Sequence, residues 1–185
     1  EHERTMATSI ALNANQLGVG LAFIVGALYV QSPNQIANYF SLLTFFSVAA
    51  FVGILIGVVV GFSLAFGDSL GGVIGDPRQF FMFHGVAQHA PYDLAPTIPF
   101  LLFALFQLKF AIITPALITG AFAERIRFTS YLLFLVLFSL FIYAPLAHAT
   151  WHPNGLLAQA GVLDFAGGTV VHMSAGIAAL AGAIF

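Results

Sequence analysis

The chain has 185 residues, of which 60% are hydrophobic and 6% are charged, and its formal net charge is −2. Soluble domains carry about 25% charged residues, so this composition excludes an ordinary soluble protein and indicates a polytopic membrane protein. The chain has no basic patch, which argues against a nucleic-acid partner. It also has no cysteine, which excludes disulfides and thiolate ligands within it.

Five segments are apolar enough to be predicted as membrane-spanning helices, each of which needs about 20 residues. They are residues 7–30, 38–66, 96–121, 130–146 and 168–185. Turn residues such as Asp76-Pro77 and Pro153-Asn154-Gly155 separate them. The chain stops inside an apolar run, so we expect further sequence after Phe185. The prediction is an all-α bundle in which residues 1–185 form a single transmembrane domain.

Three of the predicted spans carry small residues at every fourth position. The stripes are Gly18, Ala22 and Gly26 in the first span, Gly53, Gly57 and Gly61 in the second, and Ala175, Ala179 and Ala183 in the fifth. Small residues at this spacing let helix backbones approach each other closely in a membrane. We therefore interpret the stripes as packing faces of a compact bundle.

The orientation is predicted from a few basic residues. Arg125 and Arg127 lie in the tight connection between the third and fourth spans, and basic loops face the cytoplasm. With five spans this places the N-terminus and the loops at residues 67–95 and 147–163 outside the cell.

The third span contains two phenylalanines and one lysine that need an explanation. Phe106 and Phe110 are four residues apart, so their rings share one helix face. The ordinary interpretation is a core or lipid-facing pair, and the alternative is a gate in a pore. Lys109 lies near the middle of the span, where its charge must snorkel, pair, lose its proton or face a subunit contact.

Trp151 follows the fourth span, where indole rings normally anchor a protein at the membrane interface. The alternative is that its ring face binds a small cation. His148 and His152 flank the same loop and could bond to backbone or water. His84 and His89 complete no metal-ligand spacing, so neither a metal site nor a cofactor is predicted.

Asp164 and His172 stand together in a region with almost no other polar residue. On one ideal helix they would point about 80° apart and would not touch. The Gly167-Gly168 pair instead favours a helix start near Thr169. Asp164 would then accept free N–H groups in the turn before the helix, and His172 would point into the bundle. The two residues could serve only as a cap and a structural hydrogen bond, or they could handle charge and protons.

Four sequence blocks resemble the ammonium transporter (Amt/Rh) family. They read GFSLAFGD, FQLKFAIITPALITGAFAERIRF, PLAHATW and LDFAGGTVVHMSAG, in this order along the chain. Trp151 and the AERIRF block are similar to the Amt branch. The resemblance implies the first half of an eleven-helix fold with two inverted repeats, assembled as a homotrimer in the cell membrane. It also implies a possible regulatory partner of the PII type.

The resemblance also assigns roles to individual residues. Trp151, Phe106 and Asp164 match positions that recruit ammonium at the outer vestibule or shape it. Phe110 matches a gate phenylalanine, and His172 matches the first of two histidines that line the hydrophobic pore. The second gate ring and the second histidine belong to the other half of the family fold, so residues 1–185 would supply one wall of the path and leave His172 and Lys109 on an open groove.

The expected function is therefore transport of ammonium or ammonia and not catalysis. NH₄⁺ would bind outside, give up its proton and cross as NH₃. One alternative is an ammonium sensor with a C-terminal signalling domain, which the sequence after Phe185 would reveal. A second is an intramembrane enzyme that uses Asp164 and His172, although no nucleophile or metal set accompanies them. A third is a half-length product that packs with a partner half.

Overall fold

The computed structural model describes residues 33–86, 90–123 and 125–184 of the chain. The predicted first span at residues 7–30, with its small-residue stripe, lies outside these residues, as do His89 and Glu124. The chain divides into two units, residues 1–43 and residues 44–185. Of the first unit, residues 33–43 are helical. The core and all the contacts below belong to the second unit.

Helices make up most of the described chain. The α-helices are α1 (Pro33–Ile56), α2 (Phe62–Phe66), α3 (Phe100–Leu117), α4 (Thr119–Phe122), α5 (Phe128–Phe138), α6 (Ala144–Trp151), α7 (Leu156–Gln159) and α8 (Ser174–Ile184). Three π-helical segments, Gly57–Gly61, Ser139–Tyr143 and Gly168–Met173, join or precede them. A 3₁₀ turn spans Phe81–Phe83.

The prediction of an all-α chain needs one correction, because the loop after the second span contains short strands. β1 (Ser69–Leu70) pairs antiparallel with β2 (Ile74–Gly75), and β3 (Pro91–Tyr92) pairs antiparallel with β4 (Ala95–Pro99). These ribbons satisfy backbone groups that a long loop would otherwise leave unpaired.

Within the described residues, three helices are long and apolar enough to cross a membrane. They are Ser41–Phe66, Phe100–Phe122 and Phe128–Gln159, and they correspond to the predicted second, third and fourth spans. The shorter apolar helix Gly168–Ile184 corresponds to the fifth. We use these four ranges below as the second, third, fourth and fifth spans.

Two predicted boundaries were wrong. The third span begins at Phe100 and not at residue 96, because residues 95–99 are held in β4. The fourth span does not end at residue 146. Its helix continues to Trp151, which is therefore the last residue of the helix and not a residue outside it. The continuation is possible because the polar side chain of His148, which interrupts the apolar pattern, is buried and hydrogen-bonded.

The glycine stripe of the second span packs against the third span, as the sequence predicted. A Cβ atom built on Gly53 would lie 2.9 Å from the carbonyl oxygen of Ala111 and from the Cα of Ile112. A Cβ on Gly57 would collide with the side chain of Leu108. Only glycine permits this approach of two backbones, so the stripe fixes the position of the third span.

The bundle has two distinct ends. At one end Arg125 Nη2 donates to the carbonyl oxygen of Ala183, 3.1 Å away, and so joins the connection after the third span to the fifth span. At the other end the loop after the second span is joined to α7, the last helix of the fourth span, because the Leu156 N–H donates to the Gly72 carbonyl oxygen at 2.8 Å. The candidate site lies at this second end.

Candidate functional site

A pocket of about 230 Å³ lies where the third span, the end of the fourth span and the turn before the fifth span meet. Four of the five residues that the sequence singled out line it: Phe106, Phe110, Trp151 and Asp164. The remaining lining residues are Phe66, Leu94, Phe103, Gln107, Phe165 and Gly167. The tertiary structure therefore brings together residues that lie up to 58 positions apart between Phe106 and Asp164.

Three aromatic rings form a continuous wall of this pocket. The rings of Phe106 and Phe110 meet edge to face, with centroids 5.1 Å apart and planes at 84°. The Phe110 ring then meets the Trp151 indole at 5.7 Å and 62°. Edge-to-face pairs of this kind are favourable because the positive edge of one ring meets the negative face of the next. Phe106 is 53% exposed, so part of the wall is open to an incoming ion.

Asp164 accepts four backbone hydrogen bonds in the turn before the fifth span. Its Oδ1 accepts from Gly167 (2.6 Å) and Gly168 (3.0 Å), and its Oδ2 accepts from Thr169 (2.9 Å) and Val170 (3.0 Å). These are N–H groups that the start of a helix leaves without partners. The predicted cap is confirmed. Gly167 makes the turn possible, since its φ of 77° lies in the left-handed region that favours glycine.

The same contacts keep Asp164 ionised. Burial raises the pKa of its carboxyl, but the four N–H donors lower it, and the net pKa lies below the ordinary value of 3.8. Among the residues that line the pocket, Asp164 is the only one with an acidic or basic side chain. The pocket therefore combines one permanent negative charge with several aromatic rings, an environment that favours a small cation.

His172 is not part of this pocket. It is exposed on the fifth span, and its place on the wall of a pore stays a prediction. The span begins with a π-helical turn, in which the His172 N–H donates to the carbonyl oxygen of Gly167, five residues earlier, at 2.9 Å. Lys109 is likewise exposed.

His148 and His152 form a stacked pair whose importance the sequence analysis underestimated. Their rings are 4.5 Å apart and 14° from parallel. His148 is fully buried, with Nδ1 3.0 Å from the Ala65 carbonyl oxygen and Nε2 2.8 Å from Ser69 Oγ. The carbonyl contact requires a proton on Nδ1. The sequence held a signal for such a pair, because the two histidines are four residues apart at the end of a helix. Through the contacts of His148, the pair ties the second span to the fourth.

Gln107 is a pocket residue that the sequence analysis missed altogether. It lines the pocket between the two phenylalanines, and nothing in the sequence marked it because uncharged polar residues are common in membrane helices. The residues that the structure describes contain no group of three metal-binding side chains.

Comparison with known proteins decides the family. The model of the Ammonium Transporter Family matches residues 18–185. The chain belongs to the ammonium transporter family. It is 43% identical over 167 residues to an ammonium transporter of Aquifex aeolicus and equally identical to one of Bacillus subtilis, and each match covers 89% of the chain. The chain spans 37% and 39% of the length of these two relatives.

Solved structures of ammonium transporter family relatives agree with the fold. The crystal structure of Saccharomyces cerevisiae Mep2 superposes with a TM-score of 0.68 at 37% identity, over 74% of this chain and 30% of Mep2. Mep2 of Candida albicans gives the same TM-score at 38% identity, with the same coverage of both chains. The family member described here is thus a mostly helical, membrane-integral protein whose relatives are named as transporters.

Proposed function

We propose that this ammonium transporter family member takes part in moving ammonium or ammonia across a membrane, and that the pocket is where the ammonium ion first binds. We call this pocket the recruitment pocket. The observation that carries the proposal is the meeting of the Asp164 carboxylate with the rings of Phe106, Phe110 and Trp151 in one pocket. None of the described residues that line the pocket has a cationic side chain to compete with a bound cation.

Within this proposal, the aromatic wall and the carboxylate act in different ways. The Asp164 oxygens are occupied by backbone N–H groups, so the carboxylate attracts a cation through its charge and does not bind the ion directly. The ring faces of Trp151 and Phe106 make the direct contact, each through a cation–π interaction of about 0.5–2 kcal/mol. Phe110 lies next to Trp151 and acts as the gate.

Passage beyond the gate requires the ion to lose its proton. An isolated ammonium ion is very costly to move into an apolar path, whereas neutral ammonia is not charged and avoids this cost. His172 is the residue we assign to the deeper path, because an imidazole can hold or release a proton near neutral pH. Its exposed position supports this role if the remaining wall of the path covers it.

The wider setting is part of the same proposal. The protein would lie in the cell membrane as a homotrimer, with its N-terminus and the recruitment pocket outside, as the first half of the eleven-helix repeat. A PII-type regulator would bind on the cytoplasmic side. The sensor alternative stays a prediction, to be tested by the sequence that follows Phe185.

The test is a change of Trp151 in the full-length native protein, reconstituted in liposomes. Trp151→Leu should raise the ammonium concentration for half-maximal flux about fivefold, because the loss of about 1 kcal/mol of cation–π energy corresponds to that factor. Trp151→Phe keeps an aromatic ring and should retain most of the affinity. An unchanged concentration dependence in Trp151→Leu would leave Trp151 only its packing role.

A further inference from the structure

A second, smaller and partly open cavity lies beside the recruitment pocket. Its volume is about 20 Å³, just above the ~10–15 Å³ that one water-sized molecule requires. Most of its wall consists of apolar side chains and glycines, including Gly57, Gly61, Phe62 and Leu108. We call it the inner cavity.

Gln107 gives this apolar cavity a hydrogen-bond acceptor. Its amide oxygen Oε1 is buried and has no hydrogen-bond partner among the protein groups of the described residues. Buried polar side chains are nearly always paired, either with protein or with a small bound molecule. Gln107 lines the inner cavity as well as the recruitment pocket, and a molecule held in the inner cavity would be a partner for this oxygen.

The inner cavity is separated from the recruitment pocket by the thickness of single side chains. Phe66 and Gln107 line both spaces. Gln107 belongs to the same helix as Phe106 and Phe110. A molecule in the inner cavity would therefore lie next to the recruitment pocket, across Phe66 and Gln107.

The helices around the inner cavity are irregular in a way that creates the space. The π-helical segment Gly57–Gly61 contributes both of its terminal glycines, and the segment Ser139–Tyr143 contributes Tyr143. Such π segments widen a helix locally and are frequent at functional sites. Phe83, which also lines the cavity, has a φ of 59°, a conformation that is rare for an aromatic residue and persists only where the surroundings enforce it.

We propose that Gln107 and the inner cavity form a binding site for one small neutral hydrogen-bond donor, either water or ammonia. The ligand is neutral because the described residues around the cavity include no charged side chain and an unpaired ion would be very costly there. The ligand is small because the volume admits one water-sized molecule. The choice of ammonia as the occupant rests on the function proposed above, whereas the existence of the site does not.

The existence of the site is tested by high-resolution structures of the full-length native protein and its Gln107→Met variant, both with ammonium. Methionine is similar in size but lacks a strong acceptor. We expect one density feature about 2.7–3.2 Å from Gln107 Oε1 in the native protein and its loss in the variant. A native map without this feature, or an undiminished feature in Gln107→Met, overturns the site. If the variant does not fold, the native map alone decides.

The identity of the occupant is tested by ammonium flux in liposomes. If ammonia passes through this site, Gln107→Met should lower the flux about threefold to tenfold, the effect of one lost hydrogen bond. Loss of the density with unchanged flux assigns the occupant as water. Gln159→Met makes the same change at an exposed position and should leave the flux unaltered. A native protein without any ammonium flux would refute the proposed function, while the maps would still decide the site.

Discussion

Asp164 performs two tasks with one carboxylate. Its four hydrogen bonds fix the turn from Gly167 to Val170 and thereby the start of the fifth span, while its charge faces the recruitment pocket. The two tasks are compatible, because the start of a helix carries partial positive charge that keeps the carboxylate ionised. A residue that stabilises the fold can therefore also determine the sign of the ion that enters.

Replacing Asp164 should separate these tasks. Asp164→Ala removes all four acceptor contacts and should lower the free energy of unfolding by about 1–2 kcal/mol, the usual effect of losing a helix cap. Asp164→Asn retains one oxygen acceptor and should lose less stability, but it removes the charge and should weaken ammonium binding. Thermal unfolding of the full-length protein in detergent, combined with flux measurements, would check both expectations. Equal stability of Asp164→Ala and the native protein would contradict the capping role.

The stabilisation by Asp164 should also depend on pH. The folded-state pKa of this carboxyl lies below the ordinary value of 3.8, so the unfolded state binds a proton first as the pH falls. The contribution of Asp164 is therefore complete above the unfolded value and is lost as the pH decreases through the lower folded value. The stability difference between the native protein and Asp164→Asn should stay constant from pH 5 to 7 and shrink below about pH 4. A difference that shrinks near pH 6 would implicate a histidine instead.

At the level of whole elements, the approach of the second and third spans determines the geometry of the site. The third span carries Phe106, Gln107 and Phe110, and its position is set where Gly53 meets the backbone at Ala111. A hydroxyl chain supports the same arrangement, because Thr119 Oγ1 and the Tyr131 hydroxyl are 2.8 Å apart and the Tyr131 hydroxyl donates to the Phe45 carbonyl oxygen at 3.2 Å. The face that packs against the second span and the rings of Phe106 and Phe110 thus belong to one helix.

A methyl group at Gly53 should disturb this approach. Gly53→Ala would place a Cβ 2.9 Å from the Ala111 carbonyl oxygen and the Ile112 Cα, closer than ordinary van der Waals contact. We expect a loss of about 1–3 kcal/mol, typical of overpacking, measured as thermal unfolding in detergent. Gly120→Ala is the matched control, because a Cβ there meets no atom within 4 Å. A Gly53→Ala protein as stable as the control would contradict the close contact.

At the scale of the molecule, one side of the described bundle is an apolar groove. It has a volume of about 670 Å³ and lies between the fourth and fifth spans, where Phe134, Leu146, Met173 and Ile177 line it. His172 and Lys109 are also exposed. In inverted-repeat transporters the substrate path runs between two repeats. Under the proposed function, the described residues supply one side of that path.

Residues 1–185 by themselves should therefore not form a conducting monomer. The exposed His172 and Lys109 would face lipid, at a cost of several kcal/mol, so the polypeptide should be unstable or should associate. The measurement is ammonium-driven pH change in liposomes that contain this polypeptide, with a full-length ammonium transporter as the positive control. Saturable, ammonium-specific flux from a monomeric preparation would refute the one-sided path.

Several features of this protein followed from its sequence alone. The scarcity of charge determined that lipid surrounds it, and the lengths of the apolar segments located the second, third and fourth spans. The Gly53 stripe and the Asp164 cap were predictable because each depends on residues a few positions apart. The resemblance to the ammonium transporter family rested on four short sequence blocks, and membership of that family is confirmed.

Only the tertiary structure decided what depends on irregular helix geometry and distant contacts. The fifth span starts with a π turn at Gly168–Met173, which a regular repeat of 3.6 residues does not predict. Trp151 became a pocket residue because the helix continued past a buried, hydrogen-bonded His148. The structure also places Gln107 between two spaces, with its amide oxygen buried. Sequence periodicity describes one helix at a time, whereas a cavity is a property of several helices packed together.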